Sequence, residues 1–187
     1  IREEDSETPW LTREMIRFMK EKAPDRDRPW MCHLSYIKPH WPYIVPAPYH
    51  NIYGPNSFIP VVRDPRELED QNPVYAAFSG NVIGQAFKRD DVRNAALGAY
   101  MGLIKQIDDQ MGVLFDHLRD SGQLENTVIA VTSDHGDYMG DHWLGEKDLF
   151  HEPSVKVPLI IYDPSPEADA TRGTVCDALV ESIDLVP

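Results

Sequence analysis

The feature that most constrains the fold is an apolar run that stops abruptly in polar residues. Residues 127–132 are small or β-branched, and Ser133, Asp134, His135 and Gly136 follow them directly. Because the run lacks polar alternation, it is typical of a strand buried on both faces of a parallel or mixed sheet. Ligands of such sheets bind just beyond the carboxyl ends of the strands. A carboxylate and an imidazole at that point predict a divalent-metal site at Asp134 and His135.

The rest of the chain supplies helices and further strands around this run. A long amphipathic helix is predicted over residues 91–120, because apolar residues recur there at three- and four-residue steps. It leads into the central strand as an αβ unit, so we expect helices packed on the faces of a sheet. The other predicted elements are a helix over 8–24, strands over 30–37, 158–162 and 173–180, and a helix start over 181–187. Residues 49–72 predict a long loop on the surface, and residues 73–90 have no pattern that favours either a helix or a strand.

The charge balance limits the partners that the chain can bind. It carries 18 basic and 31 acidic residues, for a formal net charge of -13. This balance argues against a general affinity for nucleic acid or for an anionic membrane. An anionic substrate would therefore need local positive charge, from a metal or from well-placed basic side chains. The apolar runs are too short to span a bilayer, and because Ile1 is not an initiator methionine, the location in the cell stays open.

Motifs at specific spacings surround Asp134 and His135. Downstream lie Gly140-Asp141-His142-Trp143, then Lys147, then residues 153–160; upstream lie residues 34–42, 47–50 and 100–112. Together they resemble the core signature of the sulfatase family within the alkaline phosphatase superfamily, closest to its phosphonate monoester hydrolase and arylsulfatase branch. The resemblance runs over nearly all of the chain. It implies an incomplete, alkaline-phosphatase-like α/β/α sandwich around a mostly parallel, mixed sheet.

The resemblance also implies a role for four individual residues. Asp134 and His135 match the family's second pair of metal ligands, which hold one divalent ion, Ca²⁺ or Mn²⁺, with Mg²⁺ as an alternative. Lys147 matches the lysine that contacts the anionic oxygens of the substrate, where an ammonium neutralises developing charge. His40 matches a histidine that touches the substrate or its leaving oxygen. We therefore expect His40 and Lys147 to be the catalytic and substrate-binding residues of this chain.

Each of these residues also has a structural interpretation. An acid and a histidine that are adjacent at a strand end are about as often a capping acid and a packed histidine as they are metal ligands. By itself, His40 would be a structural imidazole stacked on Trp41, and Lys147 would be a solvated surface lysine. Only the offset of thirteen residues between Asp134 and Lys147 argues otherwise for the lysine.

The other polar and aromatic residues of these motifs are expected to be structural. Lys38 is interpreted as a surface residue or as support for the site, and Asp141 and His142 as support. We expect the remaining histidines to be packing or surface residues, the tryptophans to lie in the core, and both cysteines to be reduced and buried. These residues are His33, His50, His117 and His151; Trp10, Trp30 and Trp41; and Cys32 and Cys176.

Two parts of the family's machinery have no counterpart among these 187 residues. The family's nucleophile is a formylglycine made from Cys or Ser in a Cys/Ser-x-Pro/Ala-x-Arg motif, and its first metal ligands are acids at the end of the first strand. Cys32 is followed by His33 and Leu34, so it does not fit, and Cys176 is followed by Asp177. Residues 1–187 therefore resemble the second half of the catalytic domain. We expect this polypeptide alone to be inactive, to bind metal weakly and to expose apolar sheet edges.

Three functional hypotheses follow from these observations. The first is part of a metal-dependent hydrolase of sulfate esters or of phosphonate or phosphate esters, with the nucleophile outside this chain. A two-metal phosphatase or mutase of the same superfamily would need further His and Asp ligands, and the position of Lys147 favours a single metal. The third hypothesis is a non-catalytic, sulfatase-like binding module. The expected partners are a small anionic ester and the remainder of the catalytic domain, with a homo-oligomer left open.

Overall fold

Helices dominate the part of the chain that the structure describes. The structure is a computed structural model, and it describes residues 1–22, 28–54 and 59–185. Short 3₁₀ turns join the elements, among them Tyr49–Asn51, Pro65–Leu68 and Asp141–Trp143. In chain order, the described helices and strands are α1 (Glu7–Glu21), α2 (Pro73–Gly80), α3 (Val82–Phe87), α4 (Asp90–Asp120), β1 (Ile129–Thr132), α5 (Glu152–Val155) and β2 (Leu159–Tyr162).

The long helix α4 is the central support of the fold, and its prediction from periodicity is confirmed. Two aspartates occupy its first turn, and a histidine and an arginine its last, which complements the helix dipole. Helix α1 packs against it, and the contact between them forms a first hydrophobic cluster. The buried members of this cluster are Met19, Leu114 and Leu118, and Phe18, Trp30, Leu34, Tyr36 and Ile129 pack around them.

A second hydrophobic cluster lies farther toward the start of α4. Its buried members are Phe87, Leu97 and Met139, and Tyr43 and Tyr100 pack around them. Phe87 ends α3 and Leu97 lies on α4, whereas Met139 follows the Asp-His-Gly motif. This cluster therefore fixes the loop after β1 onto the helices.

The two strands form a small antiparallel sheet. Ile129 of β1 pairs with Tyr162 of β2, and Thr132 pairs with Leu159. The expectation that β1 is buried on both faces is wrong, because its residues alternate between partly buried and exposed. Ile160 and Ile161 of β2 are 64% and 59% exposed. Because consecutive strand residues point to opposite faces, β2 is open to solvent on both of them, and the face that carries Ala130 and Ile161 is the more exposed one.

Two other predicted strands are not strands in the described part of the chain. Residues 30–37 and 173–180 carry no strand assignment, and within the latter Val175 and Leu179 are almost fully exposed. An extended segment becomes a strand only when a neighbour supplies ladder hydrogen bonds, and neither segment has such a neighbour among the described residues. The predicted helix over 181–187 is a 3₁₀ turn at Ser182–Asp184, and residues 186 and 187 lie outside the description.

Further predictions differ in detail. Helix α1 ends at Glu21, and Pro24, which was expected to close it, lies outside the described residues. Residues 73–90 form two short helices, each capped by an asparagine side chain that accepts from the backbone of the first turn. Both cysteines are free, as expected, but they are exposed and not buried. None of the described helices combines the length and the apolar character needed to cross a membrane.

Candidate functional site

The candidate site lies where β1 ends, between two loops. We call residues 137–147 the site loop and residues 38–43 the proline loop. Gly136 directly precedes the site loop, and its amide donates to the carbonyl oxygen of Ser154 at 2.8 Å. A Cβ atom at Gly136 would lie 2.0 Å from the carbonyl oxygen of Pro153. Only glycine therefore allows the chain to pass this close to the residues that precede β2.

The side chains of Asp134 and His135 each leave one atom that could bind a metal, and these two atoms lie beside each other. The His135 Nδ1 atom donates to the carbonyl oxygen of Gly136 at 2.8 Å, so Nε2 is the atom that carries the lone pair in the neutral imidazole. Asp134 Oδ1 accepts from the His135 amide at 3.0 Å, and its Oδ2 lies 3.6 Å from His135 Nε2. Asp134 Oδ2 and His135 Nε2 thus fit as two ligands of a single cation. The contact of His135 Nδ1 with the Gly136 carbonyl oxygen orients the imidazole ring.

The rest of a metal shell is not found within this part of the structure. Over residues 1–22, 28–54 and 59–185, no three or more His, Cys, Asp or Glu side chains are grouped so that they could hold a metal. The Asp134 side chain is 87% exposed, so its Oδ2 atom is accessible from solvent. The pair therefore supplies two ligands and needs others from elsewhere to form a closed site.

His40 and Lys147 meet although 107 positions separate them in sequence. The Lys147 Nζ atom lies 2.8 Å from His40 Nε2. The other ring nitrogen of His40 lies 2.8 Å from the carbonyl oxygen of Trp41, to which it donates, so Nε2 accepts from the lysine ammonium. The ring of His40 also packs edge-on against His135, with the centroids 5.8 Å apart. The structure thus brings all four predicted site residues together.

The proline loop that carries His40 is held from within. The Lys38 ammonium donates to the carbonyl oxygens of His40 at 3.1 Å and of Pro42 at 2.8 Å. Burial lowers the pKa of Lys38. Trp41 stacks on His40 with the ring centroids 6.0 Å apart, as expected. The prediction that the tryptophans lie in the core is wrong for Trp41 and Trp10, which are 49% and 53% exposed. Trp30 is partly buried against Phe18.

Asp137 is a site component that the sequence interpretation missed. Its Oδ2 accepts from the Tyr43 hydroxyl at 2.7 Å, and its Oδ1 accepts from the amides of Met139 at 3.0 Å and Glu146 at 3.1 Å. Burial raises the pKa of Asp137, and burial followed by the nearby Asp137 charge raises the pKa of Tyr43. The only sequence signal for this role was the position of Asp137 directly after the motif.

The site loop is tightly folded on itself. The Tyr138 amide donates to the carbonyl oxygen of Glu146 at 2.8 Å, and the Gly140 amide to that of Leu144 at 2.8 Å. Arg93 of α4 donates from its Nε atom to the carbonyl oxygen of Met139 at 3.0 Å. Several non-glycine residues of the loop have positive φ, a strained conformation that the surrounding contacts must maintain. These residues are Met139, His142, Trp143 and Glu146.

A pair of stacked histidines supports the outer side of the site loop. The rings of His142 and His151 are 4.3 Å apart and nearly parallel. The Nδ1 atom of His142 lies 2.8 Å from Glu67 Oε1, and that of His151 lies 2.9 Å from the Tyr138 hydroxyl. Burial, and then the nearby charge of His142, lowers the pKa of His151. The supporting role expected of His142 agrees with these contacts, and His151 is a packing residue, one of the two roles expected of it.

Residues 62–67 connect this support to the rest of the chain. The Val62 amide donates to Asp141 Oδ1 at 2.9 Å, and the Trp143 indole donates to the carbonyl oxygen of Asp64 at 2.9 Å. The Arg63 guanidinium lies 4.3 Å from the centre of the Trp143 ring. Asp141 therefore supports the loop, as predicted. Of the remaining histidines, His33 and His50 are exposed and His117 is partly buried on α4.

Comparison with known proteins identifies relatives of the chain. The profile of a family described as Sulfatase matches residues 5–187. The chain is 32% identical to the "Multifunctional alkaline phosphatase superfamily protein PehA" of Trinickia caryophylli, over 100% of the chain and 38% of that protein. It is 33% identical to an arylsulfatase of Clostridium perfringens, over 96% of the chain and 37% of that protein. The chain thus spans well under half of the length of these relatives.

The fold also matches solved structures. The crystal structure of a phosphonate monoester hydrolase of Agrobacterium radiobacter superposes with a TM-score of 0.74 and 30% identity. The match covers 88% of this chain and 34% of that protein. A phosphonate monoester hydrolase of Silicibacter pomeroyi gives a TM-score of 0.70 and 29% identity, with the same coverage. The predicted class, an incomplete α/β domain of the alkaline-phosphatase-like type, is therefore confirmed.

Proposed function

The chain belongs to the sulfatase family, and from this membership we propose that it forms part of a hydrolase of sulfate or phosphonate esters. The observation that carries the proposal is the convergence of four side chains at one place. Lys147 donates to His40 at 2.8 Å, and the His40 ring packs on His135, which stands next to Asp134. A cation, an imidazole and two free metal-ligand atoms are the groups that hydrolysis of an anionic ester needs.

Lys147 is the proposed binding group for the anionic head of the substrate. The chain has a net charge of -13, so a sulfate or phosphonate group requires a local cation to offset the surrounding field. The ammonium uses one N–H on His40 and has two more to offer to the substrate. As charge builds on the ester oxygens in the transition state, these N–H groups stabilise it without further rearrangement.

His40 is the proposed proton-exchange group. Its Nδ1 atom is committed to the carbonyl oxygen of Trp41, which leaves Nε2 as the atom that faces Lys147. An imidazole exchanges protons with water at neutral pH, so Nε2 can take up a proton from solvent and pass it to a departing oxygen. Its position next to the lysine places both groups on the same side of a bound ester.

Asp134 and His135 are the proposed ligands of one divalent ion, with Ca²⁺, Mn²⁺ or Mg²⁺ as candidates. The contact of His135 Nδ1 with the Gly136 carbonyl oxygen orients the imidazole, and this orientation supports the assignment. When bound, the ion would polarise an ester oxygen as a Lewis acid. Its remaining ligands and a formylglycine nucleophile are proposed to come from residues outside positions 1–187, since neither Cys32 nor Cys176 stands in the required motif.

The test compares the polypeptide 1–187 with the full-length gene product, expressed from its natural start codon. Both are assayed with p-nitrophenyl sulfate and with a phenylphosphonate monoester, with and without added Ca²⁺ or Mn²⁺. We expect turnover by the full-length product and none by residues 1–187. Turnover by residues 1–187 alone would overturn the assignment of the nucleophile. A full-length product that binds inorganic sulfate but hydrolyses neither ester would overturn the hydrolase and support a binding module instead.

A further inference from the structure

We propose that Asp137 and Tyr43 form a clamp that sets the distance between Lys147 and His40, which makes both of them positioning residues. Tyr43 follows His40 by three positions on the proline loop, and Asp137 starts the site loop that ends in Lys147. The significance of the clamp for hydrolysis rests on the proposed function. Its effect on the geometry of the pair does not.

A single carboxylate closes the site loop and joins it to the proline loop. Asp137 Oδ1 accepts from the Glu146 amide at 3.1 Å, which draws the two ends of the loop together just before Lys147. Its Oδ2 accepts from the Tyr43 hydroxyl at 2.7 Å. The two oxygens thus bind the two chain segments that carry the reactive pair. A change in this carboxylate would shift Lys147 relative to His40.

The clamp is anchored on the rigid part of the fold. The Tyr43 ring packs edge-on against Tyr100 of α4, with the centroids 6.1 Å apart. It also contacts the second hydrophobic cluster, to which Met139 of the site loop belongs. Because α4 has 31 residues and lies in the centre of the fold, it holds both ends of the clamp in one frame. The contact therefore transmits the position of the helix to the His40–Lys147 pair.

A second tyrosine in the molecule offers a matched comparison. Tyr36 also loses one hydroxyl contact when it is replaced by phenylalanine, because its hydroxyl lies 2.8 Å from Thr12 Oγ1. It is partly buried, as Tyr43 is, but it packs in the first hydrophobic cluster and not in the second. If the Tyr43 hydroxyl served stability alone, the two substitutions would have the same consequences for Lys147.

The first experiment measures the environment of Lys147 directly, in the full-length gene product. Trace acylation with an N-hydroxysuccinimide ester, read by mass spectrometry, gives the relative reactivity of each lysine. We expect Tyr43→Phe to increase acylation of Lys147, because the ammonium leaves its hydrogen bond to His40. Tyr36→Phe should leave it unchanged, and the exposed Lys156 serves as the internal reference. Equal labelling of Lys147 in the wild type and in Tyr43→Phe would overturn the clamp.

A second variant keeps the test decisive if Tyr43→Phe does not fold. Asp137→Asn retains an oxygen that can accept from Met139 and Glu146, so we expect a folded protein with an intermediate rise in Lys147 labelling. In the ester assay, both variants should lose about tenfold in kcat with a smaller change in KM, because misplacement affects the transition state most. Altered labelling together with an inactive wild type would leave the clamp intact and reject the hydrolase. Unchanged kcat with altered labelling would reject the positioning role.

Discussion

The site loop and the two-stranded sheet lie next to each other in sequence but differ in how they are supported. The site loop, residues 137–147, is tied to α4, to the proline loop and to residues 62–67 by contacts of its own side chains and backbone. The sheet that leads into it leaves Ile160 and Ile161 largely exposed. Contacts within the chain thus fix the geometry of the site loop, whereas the two-stranded sheet next to it stays exposed to solvent. Local order of the site therefore does not depend on a complete sheet.

The largest effect is expected from removing the cation that the site loop presents. Lys147→Ala in the full-length gene product should lower kcat for p-nitrophenyl sulfate by about 10²- to 10³-fold, the usual loss for one charge-stabilising donor. Lys156→Ala is the matched control, because that lysine is exposed and pairs with Glu152 at 3.3 Å. If both variants lose the same activity, Lys147 has no catalytic role of its own. The support of the site loop would then not matter for hydrolysis.

A smaller effect is expected from a steric clash at Gly136, which lies between β1 and the site loop. Gly136→Ala should reduce the free energy of unfolding by about 3 kcal/mol, because its Cβ would lie 2.0 Å from the Pro153 carbonyl oxygen, a backbone atom. Gly112→Ala on α4 is the control, since nothing lies within 4 Å of its added Cβ. That change should stabilise the protein by about 1 kcal/mol. Urea unfolding of both variants measures the difference, and equal midpoints would contradict the close approach at Gly136.

Acid should loosen the site loop before it affects the sheet. The pKa of His151 is lowered from 6.5 by burial and by the neighbouring His142, while Glu67 opposes this shift. A lowered folded-state pKa means that the neutral form is favoured, so its contribution is complete above pH 6.5 and is lost as the pH falls through the folded value.

The protection of residues 138–147 from amide hydrogen exchange, corrected for the slower intrinsic rate at lower pH, should therefore fall on acidification below this range. His151→Gln should remove this pH-dependent fall in protection, and His50→Gln, which changes an exposed histidine, should keep it. An identical pH profile in all three proteins would show that the stacked histidines do not support the loop.

The smallest effect is expected on the open face of the sheet. Ile161→Thr in the 1–187 polypeptide should change the free energy of unfolding by no more than about 0.5 kcal/mol, as is usual for exposed positions. Ile161 is 59% exposed and pairs with Ala130 of β1. Urea unfolding again provides the measurement. A loss of about 2 kcal/mol or more would mean that this face is covered and that the two regions are equally supported.

The sequence was most informative where periodicity and spacing act locally. The periodic apolar residues correctly predicted α4, and motif spacing selected Asp134, His135, His40 and Lys147, which the structure brings together. Their roles as metal ligands and catalytic groups stay predictions. The contacts that hold them were missed, because Tyr43 and Asp137 are 94 positions apart and nothing in either local sequence refers to the other.

The errors in the strands have a different physical origin. A segment rich in apolar and aromatic residues such as 30–37 has the composition of a strand, but its assignment depends on a partner that supplies hydrogen bonds. The same holds for the burial of β1, which depends on layers packed over both faces. Neither property is encoded in the segment itself. Composition therefore predicted more strands than pair within the described part of the chain.

The contact between His40 and Lys147 has a consequence for the order in which the protein folds. It closes a loop of 107 positions, and contacts of such high sequence separation carry a large closure entropy and tend to form late. Helix α4 lies inside that loop and can form from local contacts first. During synthesis, His40 leaves the ribosome well before Lys147 exists, so a nascent chain has the imidazole without its ammonium partner. Formation of the pair is therefore expected late in the folding of this part of the protein.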